Sequence, residues 1–305
     1  MITDDYNFEI LPSEAAANGV LFGIGQHVSL DDAGFVPGSS DWITQDGESP
    51  QTGITEFGRD RLLGPSWSWQ LHVNRNDAVE ARATLGVFRA AWHALHVRNT
   101  PGAVIPIRYK LEGDEVRRIY GRPRRFEAPP DNRILGGYVP VSCDFKCVDG
   151  FTYSDTMTQV TLSIGTAYED PAADTGGGFI FPVTFPAITL PPTKRQQQLA
   201  VGGDAPAYPI IRFNGPVIDP GLETDDWRIQ LRTTIPIGQY IEIDTRPWKN
   251  TVLLNGNAGV GGLMGRRTRL SQVVFQPGKF DAKFIGSSSG TATCEVRWAS
   301  TWNSI

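Results

Sequence analysis

Several groupings in this 305-residue chain have the residue types that chemistry requires. Gly286-Ser287-Ser288-Ser289-Gly290 matches G-x-S-x-G, the elbow that presents a nucleophilic serine in hydrolases. That elbow needs a strand running into a helix and a histidine later in the chain. Here a strand-like segment follows and the last of the four histidines is His96, so a flexible turn is the better reading. His93 and His96 are three apart on a helical segment, a spacing that could bring two imidazoles to one metal. His27, His72 or a carboxylate would have to complete the set; the competing reading is boundary histidines that pack a ring and wet a nitrogen. Cys143 and Cys147 have no second Cys/His pair to make four zinc ligands, so no metal is expected. Gly256, Gly259, Gly261 and Gly262 only loosely resemble a phosphate-cradling loop, with no Lys-Ser/Thr after them and no helix opening.

The remaining candidates are weaker. Asp31-Asp32 and Asp225-Asp226 are adjacent, and adjacent strand residues face opposite sides, so neither makes an acid/base pair locally. Arg117, Arg118, Arg122, Arg124 and Arg125 form one basic run in an acidic surrounding, which fits a solvated strand and turn or an inter-subunit salt-bridge strip better than a phosphate site. Trp248, in Arg246-Pro247-Trp248-Lys249, is the one possible sugar contact, a stacking platform or a packing residue beside a turn. No catalytic residue, cofactor or metal site is assigned.

The elements that would position these residues are mostly strands. Trp67-Ser68-Trp69-Gln70-Leu71-His72-Val73 alternates apolar and polar, as a half-buried strand does. It leads into the one convincing helix, about Asp77 to Arg98, with Asp77 and Glu80 at capping-box spacing. Ala81, Leu85, Phe88, Trp92 and Leu95 form its apolar stripe, and Asn99 with Pro101-Gly102 stops it. Val104–Tyr109 and Val116–Tyr120 read as a hairpin; 135–141 and 160–164 read as strands. Pro and Gly then crowd the chain from Glu169 to Pro192, followed by Lys194-Arg195-Gln196-Gln197-Gln198, a composition that fits an arm or linker. Beyond it lie only strands and turns, with Pro236-Ile237-Gly238 and Asn255-Gly256 as turn signals.

Composition agrees. Gly and Pro total 55 residues and aromatics 31, with only 40% hydrophobic, which suits short strands and excludes a helical bundle. No run approaches the ~18 apolar residues of a membrane span, and the acidic Met1–Asp5 start differs from a secretory signal. Three sparse cysteines fit a reducing compartment, with Cys294 on the apolar side of an alternating strand as a buried core thiol. Residues 1–180 carry 15 basic and 24 acidic side chains, net -9, whereas 181–305 carry 13 and 9, net +4. That is no general nucleic-acid footprint.

Taken in order, several segments resemble the distal tail protein (Dit) family, minor tail proteins of bacteriophages with long non-contractile tails. The best stretch runs from Tyr208-Pro209-Ile210 through Asn214-Gly215-Pro216 to Asp219-Pro220, then the Trp227–Leu231 strand, Gly238-Gln239-Tyr240-Ile241-Glu242-Ile243-Asp244-Thr245 and Leu254-Asn255-Gly256. Gly121-Arg122-Pro123, Val141–Tyr153 and the strand-then-helix unit Trp67–Trp92 fit as well. The resemblance implies a mainly β protein with an N-terminal β-barrel-like domain carrying one helix (1–168), the Pro/Gly-rich arm (169–200) and a C-terminal galectin-like β-sandwich (201–305). It implies a structural virion protein of the tail tip, assembled in the host cytoplasm, with itself as partner in a hexameric ring. Its other implied partners are the tail tube protein, the tail-tip hub or tail-associated protein and a receptor-binding protein, with DNA only in transit. The acidic first part would then line a DNA-repelling channel. A carbohydrate-binding sandwich used in host attachment is the alternative, and an enzyme ranks last.

Overall fold

Alternating side chains, not helical stripes, organise nearly all of this molecule. The structure, a computed structural model, describes residues 2, 4–39, 41–48, 55–58, 60–129, 132–164, 195–265, 269–288 and 291–303. The chain divides into two units, residues 1–155 with 302–305, and residues 156–301.

Unit 1 begins with strands β1 (Asn7–Ile10), β2 (Val20–Gly23) and β3 (Val28–Val36). Four short strands follow: β4 (Trp42–Ile43), β5 (Gly47–Glu48), β6 (Thr55–Glu56) and β7 (Arg61–Leu62). Next come β8 (Ser66–Asn74), helix α1 (Ala78–His93) and the single turn α2 (Leu95–Arg98). The unit continues with β9 (Ile105–Lys110), β10 (Arg117–Glu127), β11 (Tyr138–Cys147) and β12 (Phe151–Ser154). The main sheet is antiparallel in the order β2-β1-β9-β10-β11-β8-β3, and its end strands β2 and β3 approach each other, so it curls into a nearly closed barrel. An extra residue bulges β10 between Pro123 and Phe126 opposite β11, the kind of irregularity that bends a strand and tightens sheet curvature.

The alternation of β8 turns Trp67, Trp69, Leu71 and Val73 inward. Trp67 and Trp69 meet Phe8, Phe22, Phe35 and Tyr109 with ring centroids between 5.0 and 5.8 Å apart. Helix α1 lays Ala81, Leu85, Phe88 and Trp92 on this cluster. Full burial of one such side chain is worth about 1.5–3 kcal/mol, so the aromatics dominate the stability of this unit.

Asp77 caps α1 as the sequence predicts, accepting hydrogen bonds from the Val79 and Glu80 amides at 2.8 Å each. Glu80 does not complete the reciprocal box but pairs with Arg75 at 3.2 Å. The helix is also shorter than expected. Ala94 enters the left-handed region (φ 43°), which ends α1 at His93 and leaves Leu95–Arg98 as a separate turn. The Val104–Tyr120 hairpin forms as read, with Arg117 opposite Tyr109 and Gly121 opposite Ile105.

Unit 2 is a β-sandwich. Its strands are β13 (Thr158–Ile164), β14 (Gln196–Val201), β15 (Ile210–Asn214), β16 (Val217–Thr224), β17 (Arg228–Gln230) and β18 (Thr234–Ile235). Then come β19 (Tyr240–Asp244), β20 (Thr251–Leu254), β21 (Ala258–Gly259), β22 (Gly278–Ser287) and β23 (Ala292–Trp298). One sheet runs β13-β23-β15-β19-β20-β21; the other runs β14-β22-β16-β17, with β18 beside β16. Leu162, Ile211, Phe213, Leu222, Ile229, Ile243, Phe284 and Val296 share its buried core. The two turn signals are used: Gly238 (φ 77°) follows Pro236, and Asn255 and Gly256 (φ 50° and 76°) reverse the chain from β20 to β21. A last strand, β24 (Thr301–Asn303), pairs β12, which returns Trp302 and Asn303 to unit 1.

Both domain edges differ from the sequence reading. Thr158–Ile164, placed there in the first domain, pairs along its whole length with β23, so unit 2 begins at Thr156. Gln196–Val201, placed in the arm, is a sandwich strand paired with β22. Strand alternation cannot say which sheet a strand joins. The Pro/Gly-rich stretch itself, 169–194, lies outside the described residues.

Candidate functional site

The four histidines go to four different places. His27 lies 2.7 Å from Arg75 Nη1, and His72 Nδ1 lies 2.7 Å from Asp31 Oδ1 while its ring stacks on Tyr138. His93 sits beside the Phe126 ring at 6.2 Å, and His96 Nε2 is 2.6 Å from the Pro12 carbonyl oxygen. The break at Ala94 is what separates the last two, since three-residue spacing puts side chains on one face only within a continuous helix. Among the described residues no three His, Cys, Asp or Glu side chains gather into a metal site.

The cysteines are buried free thiols. Burial first, then the neighbouring carboxylates Asp144, Asp149 and Glu295 respectively, pushes Cys143, Cys147 and Cys294 up, so they remain protonated packing groups. Ser288, central in the G-x-S-x-G match, is buried and donates its hydroxyl to the Pro216 carbonyl. It follows the end of β22, whereas Ser289 and Gly290 lie outside the described residues. The glycine-rich run 256–262 forms a β-turn, the short β21 and a three-residue 3-10 turn at Gly261–Leu263. Trp248 is half-buried, with the Arg246 guanidinium 5.8 Å from its ring. Arg246 itself grips Asp244 with Nε and Nη2, at 2.9 and 2.5 Å.

The basic run is largely committed to local structure. Arg122 donates to the carbonyls of Ala103 and Thr100 at 2.6 Å each, and Arg125 pairs with Glu127. Arg117 bonds Asp114 at 3.2 Å and covers the Trp302 ring at 4.3 Å. Arg118 reaches Asp155 at 2.5 Å and the Glu14 carbonyl at 3.2 Å.

Arg118 belongs to a network that spacing alone does not reveal. Arg108 (5% exposed) bridges Glu9 (1% exposed) at 2.8 Å and Asp155 at 2.7 Å. Glu9 also accepts from the Gly19 amide at 2.7 Å, which ties the 11–19 loop to β1. Strand pairing sets Glu9 opposite Arg108 and Arg108 opposite Arg118, so three charges far apart in sequence meet on one face. The one signal in the sequence was their placement at polar positions of otherwise apolar strands. Nearby, Asp149 accepts from the Tyr153 hydroxyl at 2.6 Å and from the Phe151 amide at 3.2 Å. Burial nevertheless pushes its carboxyl up to about 6. These groups hold backbone and loop segments together.

The other surface that the sequence reading passed over is apolar. Strands β4 to β7 form a ribbon in which Trp42 pairs Leu62 and Gly47 pairs Glu56. Trp42, Ile43, Phe57 and Leu63 on it are exposed.

Comparison with known proteins gives the architecture a context. No family model matches the sequence, and no curated protein matches it. Solved structures do. The chain is similar to SPP1 Dit, described as a paradigm of the hub adsorption apparatus in Gram-positive infecting phages. The match has 12% identity over 88% of this chain and 94% of that one, with a TM-score of 0.51. It is also similar to a chain of the phage P2 baseplate in its activated conformation with Ca, at 12% identity over 95% and 97%, TM-score 0.53. The same baseplate with Sr gives 11% identity, the same coverage and a TM-score of 0.53. The shared property is the fold, matched along almost the full length of both proteins.

Proposed function

We propose that this chain is a structural protein of a phage tail tip, a distal tail protein that forms a ring joining the tail tube to the baseplate hub. The observation that carries the reading is the near-complete coverage: barrel unit and sandwich together, over 88–95% of this chain, match phage tail-tip proteins and leave little of either partner unmatched. A shared fold alone does not transfer a role. Here the order of short motifs in the sequence points independently to the same class.

In this reading the ring is a homo-hexamer and unit 1 builds it, because barrel strands and open apolar surface are hidden by neighbouring copies. The sandwich is galectin-like and faces the hub or receptor-binding protein. DNA passes through the ring, and the net -9 charge of residues 1–180 keeps it from sticking to the wall. The protein acts without catalysis and without a cofactor. Two sets of facts support this: the histidines point to separate partners, and the one motif serine donates to a backbone carbonyl. Sugar binding through Trp248 remains the alternative; loss of glycan-array signal on Trp248→Ala is the result that would favour it.

The test is the mass of the purified chain by native mass spectrometry and imaging of the particles it forms. Rings of about six copies are expected. A monomer at the highest soluble concentration, or rings whose acidic residues all face outward, would overturn the ring or the channel respectively.

A further inference from the structure

Among the exposed apolar side chains of unit 1, two groups differ in the charge around them. The first is the ribbon of β4–β7 and β5–β6, with Trp42 at 61% and Phe57 at 86% exposure, flanked by exposed Ile43 and Leu63. Among the described residues its strands pair with each other, β4 with β7 and β5 with β6, and a two-stranded ribbon is marginal in water by itself. Asp41, Asp46 and Asp60 are exposed along it. The stretch 37–65 has five acidic and two basic residues, net -3.

The second surface is the outward face of α1. Val79, Ala83, Val87 and Ala90 recur at steps of four, four and three, opposite the buried stripe of Ala81, Leu85, Phe88 and Trp92. Val79 is 74% exposed, and Val87 is exposed too. Solvent faces of helices ordinarily carry charged residues here. Of the charged residues on α1, Arg82 and Arg89 are exposed on one flank, and the half-buried Glu80 is paired with Arg75. Across 75–98 there are four arginines and two acidic residues, net +2.

We propose that the ribbon of one copy docks on the outward face of α1 of a second copy of this chain. Each surface offers apolar area to the other, and their charges are opposite, which favours this pairing over ribbon on ribbon or helix on helix. Within one chain the two do not cover each other, since both remain exposed. The contact is head-to-tail: every copy uses its ribbon on one side and its helix on the other. Such a contact repeats by rotation and closes into a ring, or runs on as a filament. The inference rests on the ring reading above and names the interface that makes it.

The experiment compares association of full-length chains by size-exclusion chromatography with light scattering. One variant carries Trp42→Ser and Phe57→Ser, the other Val79→Glu and Val87→Glu. The wild type is expected to assemble, and each variant to associate about 30-fold or more weakly, the size of a hot-spot loss. Mixing the two variants should give a one-to-one dimer, because one intact ribbon and one intact helix face remain. Variants that keep the wild-type circular dichroism and still assemble overturn the docking while leaving the ring reading standing. Monomeric variants that give no mixed dimer overturn it as well. A wild type that never assembles overturns the ring reading and the docking together. As a check independent of those variants, Phe57→Cys and Val87→Cys chains mixed with a short bis-maleimide should cross-link to each other; absence of the mixed product counts against the proposal.

Discussion

The two units bury their interiors equally well and treat their surfaces differently. Among the described residues, 16 large hydrophobic side chains are exposed, and 13 of them, from Tyr6 to Val148, belong to unit 1. Unit 2 has only Met157, Ile218 and Ile237. On the outer side of its six-stranded sheet, polar side chains pair across neighbouring strands. Asn214 donates to Thr293 and Glu295 at 2.9 Å each, Arg297 reaches Glu242 at 2.8 Å, and Arg212 stacks on Tyr240 at 3.8 Å. Such a face is complete in water. A unit whose core is full yet whose surface stays apolar is built to be covered by something else. The difference supports the proposal that unit 1 makes the ring contacts.

Four variants sharpen or break that comparison. Trp69→Ala opens a cavity where five aromatic rings converge on this indole, and should destabilise unit 1 by about 3–5 kcal/mol. Hydrogen exchange should show the loss in β1, β8 and β11; equal loss in β15 and β23 would mean that the units do not hold separate cores.

Arg108→Met strands Glu9, almost wholly buried, without its cation. The expected cost is about 3 kcal/mol or more in urea unfolding, with the 11–19 loop becoming sensitive to protease. An unchanged midpoint would show that the network can be replaced by a well-packed apolar group at no cost.

Asp149 gives a pH signature. Its carboxyl binds a proton more tightly in the folded chain, near 6, than at its ordinary value of 3.8. The stability it contributes is therefore complete below about pH 4 and is lost as pH rises through about 6. Asp149→Asn should remove that dependence and stabilise unit 1 at neutral pH by an amount on the order of 2 kcal/mol. A wild-type stability that does not fall between those pH values would contradict the burial argument.

The smallest effect on folding is expected from Phe57→Ser, within about 0.5 kcal/mol, because the ring is in solvent. The same change should weaken self-association. A large loss of thermal stability in the monomer would show that the ring packs within its own unit and would erase part of the contrast.

Much of this could be read from residue order. The inward faces of β8 and of α1, the Asp77 cap, the Val104–Tyr120 hairpin and the turns at Gly238 and Asn255-Gly256 are local patterns, and local patterns survive in one dimension. The break at Ala94 was missed because the apolar steps run on through Leu95 as though one helix continued, while the backbone turns away. The units' edges were missed for another reason. Thr158–Ile164 finds its partners more than 120 residues ahead and Gln196–Val201 more than 75, and no local pattern names a distant partner. The exposed ribbon was overlooked because its strands are two residues long, too short for a period to register.

What the sequence determined by itself is a β-rich chain with one amphipathic helix and Cys294 as a buried thiol. Side-chain periodicity and turn chemistry act over a few residues, and those outcomes depend on nothing longer. Tertiary structure alone decided that Glu9, Arg108, Asp155 and Arg118 meet, that the four histidines part, and that Trp42, Phe57, Val79 and Val87 stay in water. Strand register brings together residues about 100 positions apart, and exposure is a property of the finished surface.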